Sequence, residues 1–120
     1  DTSFIDDPKD RKLIERVLSL PLFQGWEGAE IYPEYGYYDP SLNTTGSIDL
    51  LVVKKGDYHI IDYKTKHIDD PAYDRQLRIY GENVKRIFKV DERHIHLTLL
   101  SLIEGKTRDV EWETPRQNEL

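Results

Sequence analysis

A chain of 120 residues with a net charge of −6 and no cysteine excludes disulfides, cysteine-based zinc sites and thiol catalysis. That acidity also argues against a free-standing, non-specific nucleic-acid binder, which is ordinarily basic. The 38% hydrophobic fraction, with 8 tyrosines and 2 tryptophans, suits one folded domain. No run nears the ~20 apolar residues of a membrane span, and the absence of cysteine fits a cytoplasmic location, which is the expectation.

Asp7-Pro8 reads as an N-cap followed by proline at the first helical position, and Leu13, Ile14, Val17 and Leu18 form an apolar stripe, so a helix is predicted over 8–20. Residues 22–28 read as a connector or a short second helix carrying Phe23 and Trp26. Residues 29–35 are predicted as a short or edge strand because Pro33 interrupts them. Residues 36–45, rich in Tyr, Asp, Pro and Asn, are predicted as a loop; Tyr35, Tyr37 and Tyr38 can be read as platforms for stacking bases or, more simply, as packing the loop over the core. Two β-rich runs follow, 47–53 and 58–64, separated by the polar Lys54-Lys55-Gly56-Asp57, which predicts a hairpin. After a polar loop over 65–71, Tyr73, Leu77, Tyr80, Val84 and Ile87 recur at helical spacing and predict a helix over 73–88. Arg78 and Glu82, four residues apart, are expected to form a lateral ion pair on it. Residues 95–103 and 108–113 read as strands joined by a turn at Glu104-Gly105-Lys106, and 113–120 as a frayed tail. The order α-β-β-β-α-β-β predicts an α/β fold of mixed α+β kind, a central mixed β-sheet flanked by helices. No methionine occurs, so residue 1 is not an initiator and the chain is expected to be a piece of a larger protein.

The hairpin carries the chemistry. With a turn of two or four residues Val53 faces Tyr58, and counting back sets Asp49 opposite Asp62; a three-residue turn would break this register. Directly opposed carboxylates on an antiparallel pair lie only ~4.5–5.5 Å apart at Cβ, which destabilises them unless one is protonated or a cation sits between them. Lys64 follows Asp62 by two residues and shares its strand face, ~7 Å along. Two acids together make a hard oxygen site suited to Mg²⁺ or Mn²⁺, ions that serve phosphoryl chemistry, and an ammonium beside them can stabilise an attacking hydroxide. Gln76 and Tyr80, one turn apart, can lay an amide and a phenol over the same place. Each residue alone has a plainer reading: an exposed ion pair for Asp62 and Lys64, core packing for Tyr80, solvent for Gln76. The His-x-His pair at His94 and His96, on one strand face, reads more simply as surface than as a metal site.

Gly46-x-Ile-Asp49, Asp62-Tyr-Lys64-Thr and Gln76-Leu-x-x-Tyr80, in this order, resemble the PD-(D/E)xK nuclease superfamily, and within it the RecB/AddA-type exonuclease domains of helicase–nucleases. The resemblance spans about residues 13–103 and implies a restriction-endonuclease-like core. It further implies that Asp49, Asp62 and the backbone carbonyl of Tyr63 bind the divalent metal, that Lys64 acts on the attacking water, and that Gln76 and Tyr80 border the site. An additional acid on the preceding strand matches Glu34, with Glu30 as a competitor. The family's upstream histidine has no counterpart, since no histidine precedes Glu34, which again suggests a fragment. The implied function is a Mg²⁺- or Mn²⁺-dependent deoxyribonuclease, a hydrolase of DNA repair or recombination that acts on DNA beside helicase or other domains of its parent. The alternatives are a catalytically silent module of the same fold that binds DNA or a partner protein, and a nucleotide or sugar-phosphate hydrolase.

Overall fold

The computed structural model describes residues 26–65 and 67–112, together with Arg11, Lys12, Glu15 and Ser19. The predicted helix over 8–20, most of the connector and the tail lie largely outside these residues, with Arg11, Lys12 and Glu15 in helical conformation.

Five strands form one sheet in sequential order: β1 (Glu30–Asp39), β2 (Thr44–Lys54), β3 (Asp57–Lys64), β4 (Ile95–Ser101) and β5 (Lys106–Val110). Neighbouring strands are antiparallel except β3 and β4, which run parallel. A parallel pair needs a long crossover, and α1 (Pro71–Phe88) supplies it. The mixed sheet with its helix is the predicted α/β architecture. Among the described residues no helix is long and apolar enough to cross a membrane.

The helix starts where its chemistry dictates. Asp70 accepts a hydrogen bond from the Ala72 N–H at 2.9 Å, and Pro71 follows it in the first turn. The start therefore precedes the predicted residue 73. Leu77, Tyr80 and Val84 are buried against Ile48, Leu51, Ile60, Leu97 and Leu99 of the sheet, with Tyr73 packed at the edge of this cluster. The opposite face of the sheet holds a second cluster, Leu50, Val52, Ile61 and Leu100, with Trp26, Ile31 and Tyr63 against it. Burying both faces explains why β2 and β3 read as nearly continuous apolar runs.

Three expectations are corrected. Residues 36–45 are not a loop: β1 runs on to Asp39 and β2 begins at Thr44, so only 40–43 turn. The strands persist because Tyr35 and Tyr37 point at the helix, Tyr35 against Phe88 and Tyr37 against Tyr80, while Tyr38 is exposed. Asp39 secures the turn by accepting from Ser41 and Leu42, and its other oxygen accepts from the buried Asn83 of α1. Arg78 does not pair with Glu82; its Nε donates to the Glu111 carbonyl at 2.9 Å, a backbone acceptor that holds the end of β5. His94 lies in a short 3₁₀ turn (Glu92–His94) before β4, so it does not share a strand with His96.

Candidate active site

The turn between β2 and β3 contains two residues, Lys55 and Gly56, both at positive φ (51° and 84°), and Val53 faces Tyr58. Two successive positive φ values suit the right-handed twist of a hairpin, and glycine at the second position takes one without strain. The register is the one expected, and it leads towards Asp49 and Asp62. Ladder pairing stops one step short, at Leu50 and Ile61. Beyond it the Tyr63 N–H donates to Asp49 Oδ2 at 3.0 Å instead of to a backbone carbonyl. The strands thus part where two like charges would otherwise face each other.

A bend shared by β1 and β2 lies at the same level. Ile48 and Leu51, three residues apart, both enter the helix-side cluster, and so do Tyr32 and Tyr35 on β1. Strict alternation is therefore broken once in each strand, at points that face each other in register, and Glu34 there has a φ of 49°. Gly46 of the Gly-x-Ile-Asp segment is explained by space: a Cβ there would fall on the ring of Tyr37, the ring that packs on Tyr80 at 6.1 Å.

Asp62 and Lys64 come from the last turn of β3, on the face covered by α1. Asp62 is 3% exposed. The Lys64 ammonium lies 3.0 Å from Asp62 Oδ2 but off the hydrogen-bonding direction, so this buried oxygen has no hydrogen-bond partner among the described residues. The same ammonium stands 4.5 Å from the centre of the Tyr73 ring. Asp49 is half-buried, and its carboxyl is pushed well above the ordinary carboxylate range. Desolvation is the main cause, followed by the hydrogen bond to Asp62 and that group's charge; the Tyr63 N–H and Lys64 oppose the shift. Tyr80 is also raised, first by burial and then by the charges of Asp62 and Asp49, with Gln76 opposing the shift. It stays a phenol, able to donate.

Asp49, Asp62, Lys64, Gln76 and Tyr80 are thus brought together. Glu34 is not gathered with them: it lies across β1 from Asp49 in register but is exposed, and among the described residues no three His, Cys, Asp or Glu side chains are arranged to hold a metal ion. Glu30 instead accepts from the Tyr32 hydroxyl at 2.6 Å. The residues present nevertheless fit a divalent cation. A buried carboxylate oxygen without a hydrogen bond, beside a second acid driven towards its protonated form, is the situation that a hard ion bound by oxygen relieves. Tyr73 was not singled out from the sequence as a site residue. Its signal was its place three residues before Gln76 and seven before Tyr80, on one helix face.

At the other end of β3, Asp57 accepts from His94 and His96 at 3.3 and 3.4 Å. The His96 ring stacks on His59 at 4.6 Å, and Trp26 meets His59 edge-on. A cleft of about 360 Å³ opens there beside Trp112 and contains none of the predicted site residues.

A comparison with protein families matches residues 11–119 to the model of the PD-(D/E)XK nuclease superfamily. A comparison with curated proteins returns no match.

Proposed function

Because the chain belongs to the PD-(D/E)XK nuclease superfamily, we propose that it is a metal-dependent DNA nuclease that hydrolyses phosphodiester bonds at Asp49, Asp62 and Lys64. The observation that carries this reading is the buried Asp62 carboxylate, whose Oδ2 has the Lys64 ammonium at 3.0 Å but no hydrogen bond among the described residues, beside the second acid Asp49. Asp49, Asp62 and the Tyr63 carbonyl would hold Mg²⁺ or Mn²⁺, with Glu34 as an auxiliary acid. Bound there, such an ion supplies Lewis acidity to a phosphodiester.

The remaining chemistry belongs to the chain. The Lys64 ammonium, held beside Asp62, presents a compact positive charge to the water that attacks phosphorus and to the negative charge that builds on the phosphoryl oxygens. Tyr80, kept protonated, offers an O–H donor from above the acids, and Gln76 orients it. The helix α1 shields these groups from bulk water, which strengthens every charge interaction beneath it. Within the superfamily we favour an exonuclease of RecB/AddA type, working in DNA repair or recombination beside the helicase or other domains of a parent protein.

The test is cleavage of single- and double-stranded DNA in Mn²⁺. Wild type is expected to cut, and Asp62→Ala and Lys64→Ala to lose cleavage with their circular dichroism unchanged; activity that survives both substitutions refutes the proposal. One observation favours a second reading, a silent module that binds DNA or a partner: only two acids are gathered among the described residues. Calorimetric titration with Mn²⁺ separates the two, since the nuclease binds the ion and a silent site does not.

A further inference from the structure

We infer that Tyr73 is a positioning residue for Lys64, its ring holding the ammonium beside Asp62 without letting it hydrogen-bond to Oδ2 of that carboxylate; the inference rests on the nuclease reading above. Lys64 is the last residue of β3, and its four-carbon stem has many rotamers of similar energy. Two groups restrain its tip. Asp62 Oδ2 lies at 3.0 Å and the centre of the Tyr73 ring at 4.5 Å, within the range at which an aromatic face attracts a cation. The attractions point different ways. A lysine left to its carboxylate would turn an N–H directly onto an oxygen lone pair, the strongest arrangement for a charge-assisted hydrogen bond. Here the ammonium stays off that direction and Oδ2 keeps no hydrogen bond. The ring therefore does more than restrict the lysine. It draws the charge to one side and leaves the acid's lone pair open.

Tyr73 can do this because its own position is fixed twice. Its N–H donates to the Asp70 carbonyl at 3.0 Å in the capped first turn of α1. Its neighbour Asp74 takes both terminal nitrogens of Arg108, from β5, and the same guanidinium donates to the Ile68 carbonyl at 2.7 Å. The fork ties the helix start to the sheet on one side of Tyr73 while the cap fixes the other. Among the described residues no hydrogen bond of the Tyr73 hydroxyl enters this arrangement, so the face of the ring is the working part.

The experiment compares wild type, Tyr73→Phe and Tyr73→Leu as full chains. The first readout is the NMR shift of the Lys64 ε-CH₂ protons, which an aromatic face moves upfield. The second is single-turnover DNA cleavage with Mn²⁺. Wild type and Tyr73→Phe are expected to share the upfield shift and to cleave within about twofold of each other, since the ring face is kept. Tyr73→Leu loses the shift and cleaves about three- to thirtyfold more slowly, the fold-change equivalent of such a contact, while its KM for DNA stays within about twofold. Should the Leu variant fail to fold, Tyr73→Met replaces the ring with a flexible apolar chain in the same test. An unshifted Lys64 in wild type, or a Leu variant as fast as wild type, overturns the inference. A shifted Lys64 in a wild-type chain that cuts nothing refutes the nuclease reading and the positioning role with it, and leaves the contact standing.

Discussion

The two ends of β3 each hold a carboxylate among cationic or ionisable partners, yet only one is at rest. At the start of the strand, Asp57 is 44% exposed, accepts from two histidines that are themselves 46% exposed, and is lowered by them. At the far end the Asp62 side chain is 4% exposed, lacks a hydrogen bond on one oxygen and crowds a second acid. The first cluster is what a soluble surface makes when charges can choose their partners. The second keeps a tension that folding alone would have removed, by neutral side chains or a lysine N–H turned onto Oδ2. Distance between opposite charges does not separate the two ends; burial and satisfaction do.

The widest gap between these ends should be in activity. Asp62→Ala and Lys64→Ala are expected to reduce DNA cleavage by about a thousandfold or more, as loss of a group that acts on developing charge commonly does. Asp57→Ala should stay within about twofold of wild type in the same steady-state assay. Equal losses at both ends would erase the distinction.

Glycines sharpen the comparison through stability. Gly46, near the carboxylates, is required for space, because a methyl group there lands on the Tyr37 ring that packs on Tyr80. Gly46→Ala should destabilise by about 1–3 kcal/mol, as overpacking does, and disturb cleavage as well. Gly56, in the turn at the other end, has open space but a φ of 84°, so Gly56→Ala should cost about 1 kcal/mol and leave cleavage unchanged. Urea denaturation of the two variants measures both values.

Substitution of the acids by their amides should reverse sign between the ends. Asp49→Asn removes a carboxyl that burial and Asp62 already disfavour, so the variant should gain about 1 kcal/mol while cleavage is lost. Asp57→Asn removes an exposed, satisfied charge and should lose at most ~1 kcal/mol. Thermal melts decide. An Asp49→Asn chain less stable than wild type would mean that the pair is structural.

How much of this was legible in the sequence follows from the range of each force. The hairpin register was readable because turn length and period-2 alternation are local, and they led from Val53 and Tyr58 to the two acids. The helix stripe was readable for the same reason, but its start was placed late. The Asp70-Pro71 cap is the same signal as Asp7-Pro8, but the polar loop around it hides it. The extension of β1 through Tyr35–Asp39 was hidden because tyrosine, glycine and aspartate spell a turn locally. What keeps it extended is packing on Phe88 and Tyr80, about fifty and forty residues away in the chain. The same holds for the bend at Glu34 and Asp49, and for Arg108 clasping Asp74. Neither is written in a pattern shorter than the whole sheet.

The smallest expected effect lies in the pH dependence of the histidine end. His59 is pushed down to about 4, chiefly by desolvation and then by the charge of His96, with Asp57 opposing. In the unfolded chain a histidine titrates near ~6.5, so between that value and about 4 the unfolded state binds the proton and the folded state does not. Stability from this group is therefore complete above pH ~6.5 and is lost as pH falls towards about 4. Solvent reaches part of the ring, which limits the loss to about 1 kcal/mol, or a few degrees in melting temperature. Melts of wild type and His59→Leu from pH 8 to 4.5 should show this slope in the first and a flatter one in the second. If both slopes are equal, the acid sensitivity belongs to other groups. The histidine end would then be at rest in every respect, and the contrast with the carboxylates sharper still.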